Sequence, residues 1–189
     1  MLPDFRKALK DATQPDHERV DRLLSAFDIA TRDGFASFLA VHRRCYLAML
    51  RAAAPGGTAS NSLDGMLADI EIDLATLNAP HDVDPAPVAK QVDALALDYL
   101  IEGSRLGTQV LKRAWAGSRD PIVQEARAYF TTAPISGRWA EVCRALSEIP
   151  ADSPRAETII RDTKRLFGMF HDEAGNIIAS QNPAAEVMS

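Results

Sequence analysis

Apolar residues recur every three or four positions along nearly the whole chain, and no other feature constrains its fold as tightly. That period is one face of an α-helix. Phe5, Leu9 and Ala12 begin a stripe that Val20, Leu23, Leu24 and Phe27 resume. Pro15 stands between them and predicts a kink or a restart, with Thr13 a candidate cap. Asp33 and Gly34 open a second helix carrying Phe35, Phe38, Leu39, Val41, Tyr46, Leu47 and Leu50, and the AAAPGGTASNS stretch at 52–62 ends it. A third helix is expected over about 63–77, and three prolines make 78–87 a loop. A long helix follows over about 88–115, then shorter ones near 121–131 and 138–148. The last is expected over about 155–173, with Asp152 or Ser153 as its cap and Pro154 in its first turn. Residues 176–189 read as a frayed tail. No stretch reads as a strand or a repeat, so the expectation is an all-α protein with one helical domain over 1–175.

Composition narrows the function classes. A length of 189 residues suits one domain with a real core, and 47% hydrophobic with 25% charged residues is ordinary for a globular chain. The net charge is −5 with no Lys/Arg block, which argues against a nucleic-acid partner. There is no apolar run of about 18 residues to span a membrane. The start, MLPDFRKALKDAT, lacks the apolar core of a signal peptide. Cys45 and Cys143 lie far apart and outside any Cys-x-x-Cys, so no disulfide framework is indicated and a reducing cytoplasm is the expected setting.

Two features carry chemistry. Lys10, His17 and Asp21 fall at i, i+7 and i+11, on one face of a helix. Asp21, one turn beyond His17, can orient its imidazole and leave the other nitrogen for a metal. The same spacing also suits a surface histidine beside solvated charges. The second feature is Gly103 and Gly107 inside YLIEGSRLGTQVLKRAW. Each glycine costs roughly 1 kcal/mol against alanine in a helix interior. Such a pair serves a flat ligand approaching the backbone, a bend, or close packing of two helices.

The remaining candidates are weaker. His42 sits beside Arg43 and Arg44 and is expected at the surface; His81 lies in the proline-rich loop. His171 is expected to end the last helix, where a cation suits the dipole. Glu71, Asp73 and Glu102 with four scattered histidines do not supply the inward-facing ligand pattern of a dinuclear iron centre. Cys143 is expected in the core, with a redox thiol as the alternative reading, and Trp115 and Trp139 in the core or in pocket walls.

Taken together, HERVD and EGSRLG resemble the heme oxygenase family, specifically its bacterial, biliverdin-producing members. The family opens with a pattern like L-K-x-A-T-x-x-x-H, and residues 9–17 read LKDATQPDH. Its distal helix carries G-x-x-x-G before Q-V-L, and residues 103–111 read GSRLGTQVL. GRWAEVCRAL and IIRDTKRLFGMF resemble its C-terminal part. The resemblance covers most of the chain.

The resemblance implies a multi-helix bundle with heme b, both substrate and cofactor, between a proximal and a distal helix. It implies ring opening to biliverdin, carbon monoxide and ferrous iron, with electrons from an external reductase or ferredoxin. His17 matches the histidine that ligates the iron, Asp21 the carboxylate that hydrogen-bonds it, and Lys10 a propionate partner. Arg144 falls at a propionate-binding arginine. Gly103 and Gly107 match the glycines whose backbone lies over the iron. Where many members have Asp after the first glycine this chain has Ser104, as some bacterial members do, and Thr108 stands where a further glycine often follows. The alternative reading is a protein of the same fold that binds or senses heme without degrading it; a helical interaction module is a third.

Overall fold

A computed structural model of the chain describes residues 4–80, 84–87, 91–133 and 135–181, without the side chains of Leu106 and Gln109. Among the described residues there are eight helices and no strand. They are α1 (Phe5–Leu24), α2 (Arg32–Ala52), α3 (Thr58–Thr76), α4 (Ala94–Ala116), α5 (Pro121–Glu125), α6 (Ala128–Thr131), α7 (Arg138–Ser147) and α8 (Pro154–Gln181). No helix among the described residues is long and apolar enough to cross a membrane. His81 and residues 182–189 lie outside the described residues.

Short polar side chains start most of these helices by accepting from an otherwise unpaired backbone N–H. Asp4 accepts from Arg6 N at 3.1 Å, Thr31 from Gly34 N at 3.2 Å, and Asp93 from Leu95 N at 2.9 Å. Asp120 accepts from Ile122 N at 2.9 Å and Ser153 from Ala156 N at 3.1 Å, each with proline as the first helical residue. Gly34 lets the chain fold tightly onto the preceding turn, since a Cβ there would stand 2.1 Å from the Asp28 carbonyl oxygen.

Several boundaries differ from the sequence expectation. Helix α1 runs unbroken through Pro15, whose ring removes one N–H donor without ending the helix. Thr13 is no cap: it is buried, and its hydroxyl donates to Leu9 O at 2.8 Å. Helix α3 starts five residues early, at Thr58, and α4 starts at Ala94 once Asp93 caps it. The 121–131 stretch divides into α5 and α6. Helix α8 continues to Gln181, well into the expected tail. Ala174 is fully buried there, Ile177 and Ile178 pack on the core, and Gln181 Nε2 donates to Ser37 Oγ at 2.6 Å.

One core joins the helices. Helix α8 packs against α1, α2 and α4; α4 also packs on α7, and α3 on α2, α4 and α6. Phe5, Leu9, Phe35, Phe38, Leu63, Ile70, Leu97, Ile101, Ile159 and Leu166 are all essentially inaccessible. One polar group is embedded in this core for a structural reason. Asp73 on α3 is fully buried, and its carboxylate accepts from Ala128 N and Tyr129 N, each at 2.8 Å. Those N–H groups open α6, a helix of four residues that could not hold itself. Asp73 therefore holds Tyr129 and Phe130 in place. An asparagine has one acceptor oxygen where the carboxylate has two, so Asp73→Asn is expected to lower stability by about 1–2 kcal/mol. Urea denaturation followed by circular dichroism measures this, and an unchanged midpoint would remove Asp73 as the anchor of α6.

Candidate functional site

Helix α1 carries two stripes. Phe5, Leu9, Thr13 and Val20 are buried against the bundle. Beside them Lys7, Lys10, Gln14, His17, Asp21 and Leu24 alternate spacings of three and four and line a cavity of about 950 Å³. That is near the upper end of pockets that enclose a sizeable small molecule, roughly 300–1,000 Å³. Helix α4 forms a second wall with Leu100, Gly103, Ser104, Gly107, Thr108 and Leu111. Phe38, His42 and Tyr46 of α2, Tyr129 of α6, Trp139 of α7, and Phe167 and Phe170 of α8 complete it. Six of the seven residues singled out from the sequence thus meet at one cavity.

The His17–Asp21 contact forms as the spacing implies. His17 Nδ1 stands 3.2 Å from Asp21 Oδ2, and Phe167 meets the imidazole edge-on with ring centroids 5.4 Å apart. Both side chains are about half exposed, 48% and 59%. With Nδ1 given to the carboxylate, Nε2 is the nitrogen left for a ligand. No group of three or more His, Cys, Asp or Glu able to hold a metal occurs among the described residues. Glu71 pairs with Arg43 at 2.6 Å, Asp73 anchors α6, and Glu102 is buried beside Ser62.

Lys10 lines the mouth from the same face as His17, but Arg144 does not line the cavity. It is exposed on α7, whose Trp139 faces inward. Five residues on from Trp139, at about 100° each, a side chain points well away from the cavity. The additional cations at the mouth are Arg6 and Lys7. Their signal was available in the chain, since Arg6 precedes Lys10 by one helical turn. Cys143 is half-buried rather than in the core, and the Arg6 guanidinium is pushed up chiefly by its contact with that thiol.

The glycine wall is bare. A Cβ on Gly107 would meet no atom within 4 Å, and one on Gly103 would meet only the Trp139 ring, at 3.7 Å. No helix backbone approaches either position, so close helix–helix packing does not account for the pair. On the same wall Ser104 Oγ donates to Ile101 O at 2.8 Å, and Thr108 Oγ1 to Arg105 O at 2.7 Å. Their protons are committed to their own helix, which leaves their oxygens facing the cavity as acceptors. Tyr46 is the complement. Its hydroxyl is fully buried beside Tyr129 and Ser104 yet has no aligned hydrogen bond. Burial pushes its phenol up to about 12, so it holds its proton.

His42 is buried at 5% exposure, not on the surface. It belongs to the face of α2 that carries Phe35, Phe38, Tyr46 and Met49, and the adjacent arginines lie to either side of that face. Its Nδ1–H donates to Phe38 O at 2.8 Å, and its ring lies among Phe38, Tyr46, Tyr129 and Phe170 at 4.1–5.8 Å between centroids. His171 is not at a helix end, because α8 runs ten residues further; it contacts Asp172 at 3.2 Å. Trp115 is in the core and Trp139 in the cavity wall. The chain matches no protein-family model and no curated protein at a significant level.

Burial lowers His42 to about 4 against the opposing pull of the Phe38 carbonyl. The unfolded chain takes up a proton at His42 below about 6.5, whereas the folded chain does so only near 4. Stability from this residue is therefore present above pH 6.5 and is lost as pH falls toward about 4. The loss is expected to be roughly 2–3 kcal/mol. Urea midpoints across that window measure it, and His42→Phe is expected to flatten the curve. An equally steep curve in His42→Phe would place the dependence elsewhere.

Proposed function

We propose that this chain binds heme in the α1–α4 cavity and acts as a heme oxygenase. One observation carries the reading. An imidazole held by a carboxylate on α1 and a helix wall stripped of side chains at Gly103 and Gly107 border the same cavity. The lining fits the ligand: aromatic and aliphatic walls suit a porphyrin, and Arg6, Lys7 and Lys10 at the mouth suit its carboxylates. Heme bound there would supply oxygen activation, and with electrons from an external reductase or ferredoxin its ring would open to biliverdin, carbon monoxide and ferrous iron.

The chain's own residues would do the rest. His17 Nε2 would be the iron ligand, with Asp21 holding the Nδ1 proton and so fixing the tautomer. Phe167 keeps the imidazole from turning. Lys10 and Arg6 would pair with the propionates and set the ligand's rotation. Gly103 and Gly107 would leave room for the bound group beside α4. On that wall Ser104 and Thr108 accept and Tyr46 donates, so a water between them would be held by opposite polarities.

A second reading has an observation in its favour. The Ser104 proton is given to Ile101 O, and serine cannot supply the charge of the aspartate common at this position in the family. That favours a protein that holds heme without consuming it. Turnover separates the two. With heme, oxygen and reductant, decay of the Soret band with growth of biliverdin absorbance supports the oxygenase. A stable heme complex with several donors supports the holding protein.

Binding itself is expected at one heme per chain, with His17→Ala abolishing or shifting the Soret spectrum and His171→Ala leaving it unchanged. An unaltered spectrum in His17→Ala would end the assignment of the iron ligand. Gly107→Ala separates folding from function. With open space around the new methyl it is expected to stabilise the heme-free chain by about 0.5–1 kcal/mol, while lowering turnover several-fold. Thermal melts and turnover assays on the same variant check both signs.

A further inference from the structure

Behind the α4 wall lies a second chamber of about 250 Å³, between α3, α4 and α6. Ser104, Thr108 and Tyr129 line both it and the larger cavity. Arg105 and Lys112 enter it from α4, one helical turn to either side of Thr108, and Asp69 enters it from α3. The guanidinium of Arg105 has its Nη1 buried with no hydrogen-bond partner. Among the described residues, neither Arg105 nor Lys112 has a carboxylate within ion-pair distance, Asp69 included. Buried Glu102 feels the charge of Arg105, which pulls its carboxyl down against the larger upward effect of burial, but the two do not pair.

We infer that this chamber is a binding site for a small oxyanion, a carboxylate or phosphate, held by Arg105 with Lys112. The chamber carries two cations against one carboxylate, so it is net positive. A charged donor left unpaired away from water is unfavourable, and an anion's oxygen removes that cost while balancing the charge. Guanidinium is the side chain best shaped for this, because its fork meets two oxygens of one group. The volume limits the ligand to a small one and leaves porphyrin-sized molecules to the larger cavity. The inference needs no heme and does not depend on the oxygenase reading.

The site has a built-in reporter. Phe130, in the chamber wall, packs against Trp115 at a tilt of 34° with ring centroids 5.6 Å apart. In a Trp139→Phe background Trp115 is the remaining tryptophan, and its emission can be followed in the heme-free full-length chain. Inorganic phosphate and formate are titrated separately at constant ionic strength set with chloride. A saturable change with either probe is expected, at least tenfold weaker in Arg105→Gln and several-fold weaker in Lys112→Gln. The tighter probe identifies the anion as phosphate-like or carboxylate-like. No saturable response to either probe, or equal responses in the parent and Arg105→Gln, would overturn the site and leave water or Asp69 as the partner of Arg105. Should Arg105→Gln lose its helical circular dichroism, Arg105→Lys with Lys112→Gln supplies the same comparison.

Discussion

Phe5, Leu9 and Val20 hold α1 against the bundle, and that packing decides which way His17 faces. A helix has about 100° between residues. Burying positions 5, 9, 13 and 20 therefore turns positions 7, 10, 14, 17, 21 and 24 toward the cavity. Rotating α1 by a single residue would bury charges from the polar stripe and expose core side chains, at a cost of several kcal/mol. The orientation of the candidate ligand is thus a by-product of the core.

Helix α4 answers α1 with the opposite device. Where α1 brings side chains to the cavity, α4 withdraws them at Gly103 and Gly107 and sets the short hydroxyls of Ser104 and Thr108 beside them. Helix-interior glycine is unfavourable, and neither glycine here recovers that cost by letting another backbone approach. The ordinary structural explanation for a spaced glycine pair is thereby removed. What remains is a ligand that needs the space or a helix that needs to bend, and the position of both glycines on the cavity wall favours the ligand.

Local features were readable from the chain, and features assembled by tertiary packing were not. The i, i+4 contact of His17 with Asp21 belongs to a single helix, so its geometry follows once the helix is recognised. The caps at Ser153 and Pro154 were equally local. His42 was misleading because its chain neighbours are arginines, although its spacing from Phe35, Phe38 and Met49 put it on the apolar face. Arg144 lies outside the cavity lining for a different reason: resemblance aligned it by position along the chain, while the turn of α7 around Trp139 sends it outward. Tyr46 and Tyr129 come from different helices, and nothing in their local sequence says that their hydroxyls meet beside Ser104. The continuation of α8 was hidden because Ile177 and Ile178 are too few to show a period, yet enough to pack.

The wall around Ser104 shows why replacing one residue does not settle what the site can do. Ser104 and Thr108 direct their protons into their own helix, so an uncharged α4 presents two acceptors to the cavity. A water between two acceptors can give them both its protons, but its own lone pairs then still need a donor. The buried Tyr46 hydroxyl supplies the missing donor from α2, and its elevated pKa keeps it protonated at any physiological pH. A carboxylate at position 104 would have made the wall an acceptor outright and would have drawn a cation toward it. Serine allows the donor to come from across the cavity, and a phenol can do so without adding charge to an apolar wall. The fold keeps that phenol in place from two directions: Tyr46 through the aromatic packing around His42, and its neighbour Tyr129 through Asp73, whose carboxylate holds the first turn of α6. The polar character of the α4 wall therefore rests in part on a buried aspartate in α3, which does not itself line the cavity.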